Sequence, residues 1–264
     1  MTFWQRLLAR FSRSQVRARV VGHVDPSAIR AQLHEATTVE RQDFRGLQFD
    51  KWTAVACRFV ECDFSSSQIE DMCFGGGTAT TVYERCKFDG ARLGLVAPGV
   101  ARFVECSFRE MIIRDANFAD AEFVRCVFSG RLTHIQFWAN RPVTGSQRFD
   151  RTCNEIVDND WSGCVFKDVS FRGGVDLARQ RLPDGPEYVR LQTGADARGR
   201  ISELSRGWTP SGRRYAEAIR VVLENEATHG QVEVLANVSD LASDDEERAL
   251  LERIRRLAGP DYSG

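Results

Sequence analysis

The stretch FVECDF, Phe59–Phe64, recurs as FVECSF at Phe103–Phe108 and as FVRCVF at Phe123–Phe128. Looser copies are YERCKF at Tyr83–Phe88 and WSGCVF at Trp161–Phe166. The step behind these copies is five. From Phe44 it runs through Phe49, Ala54, Phe59, Phe64, Ile69 and Phe74. After the interruption GGGTATTV it resumes at Phe88 and continues through Leu93, Pro98, Phe103, Phe108, Ile113, Phe118, Phe123 and Phe128. Two residues before each lies a companion that is mostly small or apolar, such as Cys57, Cys62, Cys86, Ala91, Cys106, Ala116 and Cys126. A third run is Ile156, Trp161, Phe166 and Phe171, with Cys164 and Val169 behind the last two. A period of five fits neither the 3.6 of a helix nor the 2 of a plain strand. It fits short extended pieces joined by regular corners, in which residues two apart share a side. The large and small columns therefore share one inward face. The remaining positions, rich in Arg, Asp, Glu, Ser and Gly, form the solvated outside.

The cysteines measure one lap. Cys86, Cys106 and Cys126 recur every 20 residues, four fives. Successive laps are expected to stack as parallel strands ~4.8 Å apart. Phe64, Phe88, Phe108, Phe128 and Phe166 form the predicted core ladder, with Cys62, Cys86, Cys106, Cys126 and Cys164 beside them. Between Cys62 and Cys86 the lap gains four residues at Gly75–Gly77, which reads as a flexible protrusion. Cys126 and Cys164 are 38 residues apart, close to two laps, with an irregular passage over Thr133–Asn154.

The segments CRFVECDF, ARLGL, ANFADAEFVRCVF and CVFKDVSF resemble the pentapeptide-repeat family, whose pattern is a small residue, a polar one, Leu or Phe, then two polar residues. The resemblance implies a mainly β fold: a right-handed quadrilateral parallel β-helix of pentapeptide repeats over residues 40–174, irregular at 75–82 and 132–155. This chain departs from the family pattern in preferring Phe to Leu and Cys to Ala.

The flanks read differently. Trp4, Leu7, Leu8 and Phe11 fall at i, i+3, i+4 and i+7, one face of a helix, with Arg6, Arg10 and Arg13 as a basic stripe. Such a helix suits two roles: capping the open end of the β-helix, or peripheral contact with an anionic membrane. Asp25–Thr37 reads as a second short helix with Asp25 at its N-cap and Pro26 first inside, so residues 1–39 are expected to be a helical cap. Gln180–Arg200 reads as loop. Ser211–Ala227 reads as an amphipathic helix with Ala218, Ile219, Val222 and Leu223 on one side. Ser243–Gly259 reads as a helix opened by a Ser243/Glu246 capping box. These C-terminal helices are suited to covering the last lap or to pairing two chains as a homodimer.

Composition narrows function. The chain has 264 residues, 42% of them hydrophobic, and a net charge of −1, so no direct nucleic-acid binding is expected. No apolar run is long enough to span a membrane, and the basic start lacks the apolar block of a secretory signal, so a cytoplasmic location with reduced thiols is expected. The eight cysteines read as core filler, because metal sites need clustered pairs. Cys153 is the thiol expected to be exposed. The four histidines are scattered. Asp150, Glu155, Asp158 and Asp160 lie close in sequence and read as solvated turn carboxylates. No catalytic, cofactor or metal constellation emerges, so the expected role is a non-enzymatic scaffold that binds a protein partner. The family resemblance adds an alternative: a DNA mimic that modulates a type II topoisomerase. That role needs a continuous acidic flank, whereas residues 40–131 carry 12 bases against 14 acids.

Overall fold

The computed structural model describes residues 31–140 and 151–259. Its main body is a parallel stacked-coil β-solenoid of about five turns. Strands β1 (Ala31–Glu35), β3 (Gln48–Val55), β5 (Gln68–Gly76) and β7 (Arg92–Ala97) form one sheet. Strands β2 (Thr38–Glu40), β4 (Arg58–Val60), β6 (Thr81–Glu84), β8 (Ala101–Val104), β10 (Glu122–Val124) and β12 (Ile156–Val157) form a second. Strands β9 (Ser107–Phe118), β11 (Val127–Trp138) and β13 (Asp160–Arg172) form a third. Among the described residues no ladder joins β7 to β9.

The period of five becomes a solenoid because every inward side chain meets its counterpart from the next lap. Phe59, Tyr83, Phe103 and Phe123 are register partners in turn. Their rings stack at 4.9, 5.0 and 5.0 Å between centroids. A second stack runs Phe44, Phe64, Phe88, Phe108, Phe128 and Trp161, with centroid spacings of 3.8–4.9 Å. Each stacked ring adds about 0.5–1.5 kcal/mol to the area it buries. The corners need left-handed backbone, and many are occupied by charged residues, as at Glu61 (φ 54°), Arg85 (50°) and Glu105 (55°). That conformation costs a non-glycine residue roughly 1 kcal/mol, so contacts between laps must hold it.

The glycine run is not a protrusion. Gly75 and Gly76 are buried in β5, and only Gly77–Ala79 turn outward. The Val100 amide donates to the Gly75 carbonyl at 2.8 Å. A Cβ on Gly99 would lie 1.9 Å from that carbonyl oxygen, so the glycines let two backbones touch.

The passage after Cys126 is one lap rather than two. Strand β11 continues regularly to Trp138, with Leu132, Ile135 and Phe137 buried. Trp161 stacks directly on Phe128 at 3.8 Å. The extra length lies between Asn140 and Arg151, outside the described residues for 141–150. Phe166 therefore pairs with Leu132 and Cys164 with Gly130. Neither continues the column of Phe128 and Cys126.

The flanks bring further differences. Residues Ala31–Glu35 are β1, paired in parallel with β3, so the helix expected over Asp25–Thr37 does not extend through them. His34 explains this locally: its ring sits 4.6 Å from Trp52, as a member of the aromatic interior. The basic helix with Trp4, Leu7, Leu8 and Phe11 lies outside the described residues.

At the other end the solenoid is sealed by a two-stranded antiparallel sheet, β14 (Tyr188–Gln192) with β15 (Glu233–Asn237). Tyr188 and Leu235 enter the solenoid core. The Phe166 amide donates to the Tyr188 hydroxyl at 2.9 Å, and Asn237 Nδ2 donates to the Phe166 carbonyl at 3.2 Å. Behind this sheet pack α1 (Ala195–Ser205), α2 (Pro210–Thr228), the short α3 (Val238–Leu241) and α4 (Asp245–Ala258), around Val189, Leu191, Ile201, Ile219, Leu223, Leu251 and Ile254. Gln180–Arg200 thus holds β14 and the start of α1, not loop alone. In α2 the buried face is Tyr215, Ala216, Ile219 and Leu223, while Ala218 and Val222 face outward. The cap of α4 is Asp244, whose carboxylate accepts from the Glu247 amide at 2.8 Å, one residue later than the sequence suggests. Glu247 in turn accepts from the Ser243 amide and hydroxyl.

Candidate interaction faces

With the interior filled, the outer surfaces are where partners can be met. The thiols belong to the interior. Three of the column donate to a carbonyl of the previous lap: Cys86 to Phe59 at 3.5 Å, Cys106 to Tyr83 at 3.4 Å and Cys126 to Phe103 at 3.4 Å. A cysteine here is therefore both a small hydrophobe and a weak donor between laps, which alanine is not. Burial pushes the Cys106 thiol well up, Cys164 to about 12 and Cys73 to about 11, so these sulfurs are poor nucleophiles and poor metal ligands. Cys153 is exposed. In the last lap the thiol column ends and a buried amide takes its place. Asn159 accepts from the Cys126 amide at 2.8 Å and donates to the Phe123 carbonyl at 2.9 Å. Gln180 holds Asn159 and the Trp161 indole N–H.

The outer corner of the six-stranded sheet carries a column of alternating charge. Backbone hydrogen bonds from Arg41, Glu61, Arg85, Glu105, Arg125 and Asp158 each reach the next lap, the last ending at Arg179. Arg85 meets Glu61 at 3.1 Å, Arg125 meets Glu105 at 2.9 Å and Arg179 meets Asp158 at 2.8 Å. At lap spacing a column of one sign would repel itself; alternation neutralises it. The signal was present in the repeats: the residue before the cysteine reads Glu61, Arg85, Glu105, Arg125 in succession. Beside this column Arg58 pairs with Glu84, and Arg102 bridges Glu122 at 3.0 Å and Glu155 at 2.5 Å.

Glu122 is buried, an exception on this face. It also contacts Arg151 at 3.3 Å and accepts from the Glu155 amide at 3.0 Å. Arg151 is engaged in turn by the Asp120 carbonyl and by Asn154 Oδ1 at 2.9 Å. Burial lowers the pKa of Arg151, against the pull of Glu122. This network ties down the chain where it re-enters the solenoid after residues 141–150.

The carboxylates singled out in the sequence do not converge. Glu155 is bound to Arg102, Asp158 to Arg179, and Asp160 accepts from the Ser162 hydroxyl at 2.6 Å. Asp150 lies outside the described residues. Among the described residues there is no group of three or more metal-ligating side chains. Among them, too, no helix is long and apolar enough to cross a membrane.

Comparison with known proteins agrees on the repeat. The family model for pentapeptide repeats matches in 8 copies over residues 101–130. The chain carries pentapeptide repeats there, within the solenoid. No match was found among curated proteins. Among solved structures the chain is similar to trypsin-treated QnrB1, a plasmid-mediated fluoroquinolone resistance protein, with 13% identity. The match covers 56% of this chain and 87% of that chain, at a TM-score of 0.25.

Proposed function

We propose that this chain is a non-enzymatic binding or scaffold protein, acting in the cytoplasm, that presents the outer faces of its solenoid to a protein partner. One observation supports this above the rest: side chains suited to chemistry are already engaged. The column thiols are buried and bonded to carbonyls, and the carboxylates of the six-stranded face are paired with arginines. What remains available is a rigid, patterned surface, suited to recognition. The test is affinity capture from native lysate with the intact chain and with a variant lacking residues 1–20. A partner retained by both supports the solenoid as the binding element. Loss in the shortened chain transfers binding to the Trp4–Phe11 segment, and recovery of that segment on anionic vesicles would make it a membrane contact.

The alternative, a DNA mimic acting on a type II topoisomerase, is weighed down by the same ladder. Glu61, Glu84, Glu105, Glu122 and Asp158 each face an arginine, so the six-stranded face offers no run of free carboxylates. A gyrase supercoiling assay with purified protein decides it: inhibition or protection near stoichiometric amounts would favour the mimic over the scaffold.

A further inference from the structure

The outer face of β9, β11 and β13 is the reverse of the ion-paired one. In one register row Ile112, Arg131 and Val165 lie side by side, and in the row two residues along lie Arg114, Thr133 and Lys167. Aliphatic and cationic side chains thus form a checkerboard. Ile112 is 59% and Val165 51% exposed. Among the described residues Arg114, Arg131 and Lys167 have no carboxylate partner, although most arginines of the six-stranded face do. Four lysine or arginine heads and their aliphatic neighbours therefore stand ready: the fourth is Arg92, on β7 at the edge of this face.

A second feature adjoins the checkerboard. Strands β7 and β9 run close together without a hydrogen-bonded ladder, and this seam adjoins the face. Leu93 and Val96 occupy inward columns, yet both are only half-buried. Their register partners in the preceding lap, Ile69 and Met72, are 1% and 0% exposed. Leu95, on the outside of the same strand, is 74% exposed. The seam thus adds a partly exposed apolar edge to the cationic face.

We propose that this face, with the β7–β9 seam at its edge, docks a segment of another protein in which carboxylates alternate with aliphatic side chains. The inference rests on the scaffold reading above and gives it a place and a partner chemistry. Carboxylates would meet Arg114, Arg131 and Lys167, while aliphatic groups cover Ile112 and Val165 and pack along the edge at Leu93 and Leu95. Charge-assisted pairs of this kind set register and specificity when desolvated by neighbouring apolar contact. A uniformly anionic partner fits less well. Glu110, Asp115 and Asp168 stand among the cations and would repel a lipid surface or a phosphate backbone, whereas a peptide places its charges discretely. Among the described residues the exposed ring on this face is His134, whose Nδ1 lies 2.9 Å from an Asp115 carboxylate oxygen, and a single paired ring is a poor platform for successive bases.

The experiment is site-specific photo-cross-linking with the full chain in fresh native lysate. One photoreactive residue replaces Thr133, at the centre of the checkerboard, and in a second, separate variant it replaces Val104, on the ion-paired face. The expected result is a Thr133 adduct whose cross-linked peptide, sequenced by mass spectrometry, is rich in Asp and Glu. Reversal of the cations, as Arg114→Glu/Arg131→Glu/Lys167→Glu, should lower that adduct at least about tenfold. The neutral set Arg114→Gln/Arg131→Gln/Lys167→Gln should lower it too, and serves where the reversed variant fails to fold. Adducts to lipid or nucleic acid, to a peptide without acidic excess, or unchanged in both variants would overturn the proposal. An adduct at Val104 with none at Thr133 overturns this inference and leaves the scaffold reading standing; no protein adduct at either position counts against both.

Discussion

Two outer surfaces of this solenoid are cut from the same repeat and treat charge in opposite ways. On the six-stranded face, acids and bases alternate from lap to lap and satisfy one another. On the face of β9, β11 and β13, Arg114, Arg131 and Lys167 stand among exposed Ile112 and Val165. The interior beneath does not account for this, because aromatic stacks run under both. The difference teaches that a repeat fixes where a side chain stands, not with whom it pairs. Pairing depends on which residues recur at the same column in successive laps. A self-neutralised column stabilises laps already formed; an unpaired one leaves interaction energy for something outside the chain.

The sharpest way to break the comparison is to probe what lies under each face. Phe103 is fully buried, with Tyr83 and Phe123 each 5.0 Å away. Phe103→Ala should cost about 3–5 kcal/mol, the usual range for an aromatic cavity. Leu93→Ala, in the seam, should cost only about 1–2 kcal/mol, since that side chain is already partly exposed. Urea titration at an unchanged slope measures both. Equal losses would mean that the seam is closed in solution. Next in size is Glu122→Ala, which leaves Arg102 and Arg151 without their shared carboxylate; the expected loss is about 3 kcal/mol, read the same way. A loss below about 1 kcal/mol would mean that the network is wetter than its geometry implies.

Much of this was legible in sequence, for a physical reason. A period-five pattern specifies both the inward residues and the lap length, and Phe64, Phe88, Phe108 and Phe128 stack as that spacing requires. The ladder broke where chain length and register part company. Phe166 and Cys164 left their columns because an insertion lengthens the last lap, and a count of residues alone cannot distinguish that from two laps. Asp25–Thr37 resembled a helix start because capping residues are local signals; pairing of β1 with β3 is a non-local one that overrode them. Tyr188–Gln192 was missed because a short strand gains its partner, β15, more than forty residues later. The unpaired cations were invisible for a similar reason: whether an arginine has a partner depends on the neighbouring lap.

The next effect concerns pH at the first lap. Burial lowers His34 to about 4 from its ordinary 6.5, with its ring against Trp52 and Phe59. The folded state binds the proton more weakly than the unfolded chain. Stability from this group is therefore full above about pH 6.5 and is lost as the pH falls toward 4. By pH 5 the loss should be on the order of 1–2 kcal/mol, and His34→Phe should remove that part of the pH dependence. Urea midpoints at pH 7 and pH 5 for both proteins check it; identical slopes with pH would show that the ring is solvated.

The smallest effects carry the comparison itself. Glu105→Gln removes one member of the alternating column and leaves Arg85 and Arg125 without the carboxylate between them. Both side chains of the Arg125–Glu105 pair are about half exposed, so the loss should stay below about 1 kcal/mol. Arg131→Gln on the other face should move stability the opposite way and by less, because it thins a group of like charges that includes Arg114 and Lys167. Both changes should fade as ionic strength rises toward about 1 M, where the screening length falls to about 3 Å. Paired thermal melts at low and high salt test the sign. If both substitutions destabilise equally, the two faces do not differ in how they balance charge. Opposite signs at low salt that converge at high salt would tie the difference to electrostatics rather than to packing.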